Sequence, residues 1–195
     1  VGFEALKNTK DVIDRAKELS IKHVIVPAPP AKKDGDFKSS FEMSEEEWTA
    51  FGKDLSSYVS QIEDAGLTLG YHNHSYEFKP LVSGKLPIEC MMDQNENLKL
   101  EIDLGWTVAG GADPNVWIKK YSHKIVACHL KDFYSKDKNM LDHDNQSSIG
   151  DGFINWTQLI ANMRETSCKL FILEHDDPKN YKDYLLRSIE NLKDI

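Results

Sequence analysis

The 195-residue chain has no run of lysine or arginine long enough to follow a phosphate backbone, and 24 basic against 32 acidic residues leave a net charge of −8. Nucleic-acid binding usually needs the opposite balance, so nucleic acid is not expected as a partner. Cysteine is scarce as well. Cys90, Cys128 and Cys168 are odd in number, far apart and without C-x-x-C spacing, which argues against a disulfide framework and a zinc–thiolate site. They read as small buried apolar residues. No apolar stretch approaches the roughly 20 residues that span a bilayer, and the N-terminus is not a signal peptide, so no membrane partner is expected. The expected compartment is the cytoplasm. Because Val1-Gly2-Phe3 reads like mid-protein sequence, a removed upstream leader would make it the periplasm instead.

With 40% hydrophobic and 29% charged residues, the chain reads as one globular domain over residues 1–195 with a substantial core. Val12, Ile13, Ala16 and Leu19 share a face at helical spacing, ahead of the apolar run Val24-Ile25-Val26. Residues 28–43 are rich in Pro, Lys and Ser and read as a long loop. Ser44 with Glu47 forms a capping box for a helix from Glu45 to about Ala65. Gly66 stops that helix, and a strand from Leu67 to Tyr71 runs into His72-Asn73-His74. A short helix over Pro87–Gln94, a strand over Leu98–Leu104 and a helix opened by Asp113-Pro114 follow. Strand Ile125–Leu130, a polar loop from Asp132 to Gly152, a helix around Trp156–Thr166, strand Lys169–Leu173 and a helix from Asn180 complete the pattern.

Five strands, each followed by a helix, argue for a parallel sheet covered by helices, either open and doubly wound or closed as a barrel. Four of the five end in groups that coordinate metals or carry protons: His72 and His74, Asp103, His129, and Glu174 with His175 and Asp176. In parallel α/β folds active sites form at that edge. Mixed imidazole and carboxylate donors suit one divalent ion, Mn, Zn, Co or Fe, with Mg less favoured as histidines accumulate.

The segments LGYHNHSYEF (69–78), EIDLGW (101–106), GGADP (110–114), HLKD (129–132), GDG (150–152) and LEHD (173–176) resemble the xylose-isomerase-like sugar phosphate isomerase/epimerase superfamily. The resemblance covers most of the chain. It implies a (β/α)8 TIM barrel, of which this chain supplies the fourth to eighth β/α units, leaving the remaining strands to other sequence or another chain. It also implies a metal held by Glu, Asp, His and Glu. Asp103, His129 and Glu174 match the last three. At the first position stands His72 rather than the glutamate of many relatives, with His74 on the same strand face as its rival. Glu77 could supply a carboxylate from the following loop, and Trp106 replaces a histidine that binds substrate in ketose 3-epimerases.

The implied function is a metal-dependent isomerase or epimerase of a sugar, sugar phosphate or polyol, with Glu174 and His72 as catalytic residues and a homo-oligomer an open option. His74, Glu77, Trp106 and Lys131 would contact the carbohydrate. A lyase or hydratase acting on a keto-sugar shares the same first step. Phosphodiester cleavage is disfavoured by the acidic charge, and a sugar-binding protein with a decayed site is the non-enzymatic rival. Glu101 is either an interior ion-pair partner or a support for a ligand. Lys131 either binds an anionic substrate or covers the rim. Trp106 and Phe133 could wall a sugar ring, and Asp142-His143-Asp144 read as a solvated loop.

Overall fold

The computed structural model describes residues 1–31, 41–193 and 195, so residues 32–40 of the expected long loop lie outside the described residues. The chain divides into two compact units, Val1–Glu101 and Ile102–Ile195.

The first unit opens with a 3-10 turn, Phe3–Asn8, that runs into α1 (Thr9–Glu18). Ser20, with φ 56°, turns the chain into β1 (His23–Val26). Ser44 caps α2 (Glu45–Ser57) through the expected capping box, its hydroxyl accepting from the Glu47 N–H while Glu47 accepts from the Ser44 N–H. The single helix expected from the sequence is divided at Tyr58, where the N–H reaches back only to the Leu55 carbonyl; α3 (Val59–Asp64) follows. Gly66, at φ 79°, then leads to β2 (Thr68–His72). Next come α4 (Pro87–Met92) and β3 (Lys99–Asp103), within which the unit ends. β1 pairs with β2 and β2 with β3, both in parallel, with His72 opposite Glu101. Trp48, Leu55, Ile62, Leu69, Ile88 and Met91 are fully buried in this unit. Gly52 brings α2 against α4: a Cβ there would lie 2.7 Å from the Met91 backbone.

In the second unit the end of β3 passes directly into α5 (Leu104–Ala109), a helix that no local pattern in the sequence marks. Asp113 caps α6 (Pro114–Lys120), and β4 (Ile125–Leu130) follows as expected. The polar loop holds a small antiparallel pair, β5 (Asp132–Phe133) with β6 (Gln146–Ser147). Then come α7 (Trp156–Arg164), β7 (Leu170–Leu173) and α8 (Tyr181–Leu192), which Asn180 caps. β7 lies parallel to β4. Ile125, Cys128, Phe133, Trp156 and Met163 are buried in this unit. All three cysteines are free and buried. Among the described residues no helix is long and apolar enough to cross a membrane.

Candidate metal centre

In the first unit the strand end carries His72, buried, with Nδ1 3.6 Å from Glu101 Oε1. That distance is too long for a hydrogen bond and makes the two groups electrostatic neighbours. The ring of His74 packs edge-on against His72 at 5.0 Å between centroids and stacks on Tyr76 at 5.6 Å. Glu77 is fully buried. Its carboxylate accepts from the Tyr71 hydroxyl at 2.6 Å and from the His74 N–H at 2.9 Å. Burial pushes its pKa up to about 7 although the Tyr71 hydroxyl pulls the other way. One carboxylate oxygen therefore ties the loop to β2, and the other closes the loop on His74.

In the second unit, Asp103, His129 and Glu174 stand at or just beyond the ends of β3, β4 and β7, and each offers a ligand atom within 4.8 Å of the others'. Local sequence explains the placement. Asp103 caps α5, accepting from the Trp106 N–H at 2.7 Å, which turns the strand into a helix and holds the carboxylate at the edge. Gly105 permits that turn, because a Cβ there would meet the Lys131 carbonyl oxygen at 2.3 Å. His129 Nδ1 and a Glu174 oxygen are in direct contact, and the Glu174 N–H is anchored on the Leu130 carbonyl at 3.0 Å.

Asp103 is completely buried, and that burial raises its pKa, with Lys131 opposing the rise and Glu174 reinforcing it. Two carboxylates that crowd each other in a low-dielectric setting, joined by an imidazole, are best accommodated by a cation. The donor set of two oxygens and one nitrogen fits a borderline divalent ion. Part of the charge is balanced by Lys131, also fully buried. Its Nζ lies 3.5 Å from Glu174, 2.8 Å from Asp176 and 4.6 Å from the centre of the Trp106 ring. Trp106 and Phe133 lie 6.0 Å apart as tilted rings, adjacent as the sequence suggested.

Two residues that organise this unit escape a reading of the sequence. Asp132 accepts from the backbone N–H groups of Phe133, Gly150, Gly152 and Ile154. A Cβ on Gly152 would fall 2.2 Å from that carboxylate. The signal is present as H-x-K-D followed by G-D-G, but it reveals no pairing on its own. Gln146, buried on β6, binds Asp176 with both ends of its amide. The Asp142–Asp144 stretch behaves as expected for a solvated loop: Asp142 caps a 3-10 turn, and Asp144 pairs with exposed Lys179.

Parallel strands followed by helices, with potential metal-ligating groups collected at the strand ends, define an α/β protein of the TIM-barrel class. The chain belongs to the xylose isomerase-like TIM barrel family, which matches residues 3–195. It is 26% identical over 175 residues to an inosose dehydratase of Clostridium botulinum (strain Alaska E43 / Type E3), covering 81% of this chain and 58% of that protein. The chain thus spans little more than half of that relative. Among solved structures it is similar to a sugar phosphate isomerase/epimerase from Parabacteroides distasonis ATCC 8503, with a TM-score of 0.74, 19% identity and coverage of 98% of this chain and 65% of the other. It is also similar to the IolI protein solved with a bound zinc atom, at a TM-score of 0.73 and 16% identity over 98% of this chain and 68% of that one. These likenesses decide between the open sheet and the barrel: the fold is TIM-barrel-like.

Proposed function

We propose that this chain carries the metal site of an enzyme that removes a proton from the carbon beside a carbonyl in a keto-sugar or keto-polyol. The observation that carries this reading is the convergence of Asp103, His129 and Glu174 at three strand ends. His72 is the proposed fourth ligand. It stands at the end of β2, where the sequence resemblance puts the first ligand. His74, packed on Tyr76, is the weaker candidate and contacts substrate instead.

When bound, the divalent ion supplies Lewis acidity at the substrate's oxygens; the zinc in IolI and the mixed donor set favour Zn, Mn or Co over Mg. Glu174 accepts the proton. Lys131 offers a fixed positive charge to a substrate oxygen, and Trp106 with Phe133 supports the apolar face of the ring. From the common carbanionic stage two outcomes differ. Epimerisation returns a proton to carbon and needs a second base, whereas dehydration expels the neighbouring hydroxyl, which leaves as water once protonated, and forms C=C. The sequence-based expectation puts isomerisation first. The inosose dehydratase relatives and the histidine at the first ligand position move dehydration ahead, with isomerisation second.

The test is incubation of the full polypeptide, loaded with Mn²⁺ or Zn²⁺, with an inosose and with simple ketoses in D₂O. Metal-dependent deuterium exchange beside the carbonyl, lost in Glu174→Gln, is expected, with water loss on the inosose. Absence of both exchange and turnover on every substrate, despite bound metal, would leave a sugar-binding role instead.

A further inference from the structure

Lys131 is a fully buried cation, yet its position is not set by the Glu174 carboxylate alone. Its closest partner is Asp176 at 2.8 Å, while Glu174 is at 3.5 Å. Asp176 sits past the end of β7, and its side chain is about a quarter exposed. It would be free to rotate toward water if nothing held it. Gln146 holds it at two points: its Nε2 donates to Asp176 Oδ2, and its Oε1 accepts from the Asp176 N–H at 2.9 Å. The amide is itself placed by the β5–β6 pair, where Gln146 lies opposite Phe133. The Asn145 side-chain amide pins the same hairpin from Ser135, accepting at 3.1 Å and donating at 2.9 Å.

A buried ammonium keeps one orientation only when its counter-charge is fixed. We infer that Gln146 is a positioning residue: by clamping Asp176 it fixes the Lys131 ammonium beside Glu174 and over Trp106, so that a substrate oxygen meets a preset positive charge. The group served is the oxygen of a carbonyl, on which negative charge develops as the enolate forms, and this part rests on the proposed function above. Gln146 and its strand β6, which no strand-end motif includes, thereby become part of the site's electrostatics.

Two measurements on the full metal-loaded polypeptide test this, one of which is independent of turnover. The first is acetic anhydride labelling read by mass spectrometry. Gln146→Leu is expected to raise the labelling rate of Lys131 several-fold while Lys124, buried at 3% exposure in the same unit, stays protected. The second is steady-state kinetics on an inosose. Here kcat is expected to fall about 10²-fold, as misplacement of a catalytic contact typically does, with metal content unchanged. Gln146→Asn, a shorter amide that keeps one contact, should fall between the two. Unchanged Lys131 labelling in Gln146→Leu would overturn the inference. So would a parallel rise at Lys124, which marks general loosening. If the wild type turns over no sugar, the functional reading fails, and the labelling result still decides whether Gln146 places Lys131.

Discussion

Both units bury carboxylates, but they use them differently. Glu77 in the first unit is surrounded by donors from its own segment, the Tyr71 hydroxyl and the His74 N–H. Asp132 in the second is likewise saturated by four backbone N–H groups. Each fixes a loop. Asp103 and Glu174 instead face each other and an imidazole, and the proximity of one carboxylate makes ionisation of the other harder. A buried acid whose lone pairs are taken by N–H and O–H donors is architecture, whereas two that converge on a shared point with a histidine ask for a cation. The difference lies in the partners, since Glu77, Asp103 and Asp132 are equally buried.

Glu174 separates the two kinds of buried acid most sharply. Glu174→Gln keeps the shape and removes the charge, and is expected to lower kcat on an inosose by about 10³-fold with the melting temperature preserved, since a group acting on the reacting atoms contributes on that scale. Equal kcat in the two proteins would place Glu174 with the architectural acids. Asp132→Ala strips the acceptor from four backbone N–H groups, those of Phe133 and Ile154 buried, and should cost about 4 kcal/mol of stability in urea unfolding, each orphaned buried donor contributing on the order of 1–3 kcal/mol. A loss under about 1 kcal/mol would mean that water replaces the carboxylate.

Glu77 sharpens the contrast through pH. Its folded pKa, about 7, lies above the ordinary 4.5, so between those values the folded state holds more protons than the unfolded one. Stability from this group is therefore full at low pH and declines as pH rises from 4.5 to 7, in total by roughly 3 kcal/mol, because each pH unit crossed between the two values removes about 1.36 kcal/mol. Glu77→Gln should flatten that decline in unfolding measurements at pH 5, 6, 7 and 8 and leave metal content unchanged. A pH dependence identical to the wild type would show that the carboxyl is not the group responsible. The smallest effect is expected at the surface: Asp151→Asn weakens the pair with exposed Arg187 and should change stability by less than about 1 kcal/mol, and a larger loss would mark the Gly150–Gly152 turn as dependent on it.

The strands and the three strand-end candidates are legible because each is a short local pattern: an apolar run, then Asp103, His129 or Glu174. Helix boundaries at Ser44 and Asp113 are equally local, being set by a side chain bonding its own first turn. Helix α5 is not legible, since Leu-Gly-Trp-Thr-Val-Ala is a poor helix former that exists because Asp103 caps it and Gly105 fits against Lys131. The β5–β6 pair has two residues per strand across a polar loop, too little periodicity to detect. The roles of Asp132 and Gln146 depend on partners 18 to 30 residues away, a tertiary fact that no window of sequence contains. Glu77, expected from the sequence to contact substrate, has both of its oxygens engaged by Tyr71 and His74.

We propose that Asp103, His129 and Glu174 hold a divalent ion while Glu77 does not. Equilibrium dialysis against Mn²⁺ or Zn²⁺, with metal measured by mass spectrometry, tests it on the full polypeptide and on Asp103→Ala and Glu77→Gln. The expected result is about one equivalent in the wild type and in Glu77→Gln and under about a tenth in Asp103→Ala, because removing a ligand from a preformed site removes most of its affinity. A full equivalent retained by folded Asp103→Ala would show that the ion is held elsewhere, and one lost in folded Glu77→Gln would make Glu77 a ligand.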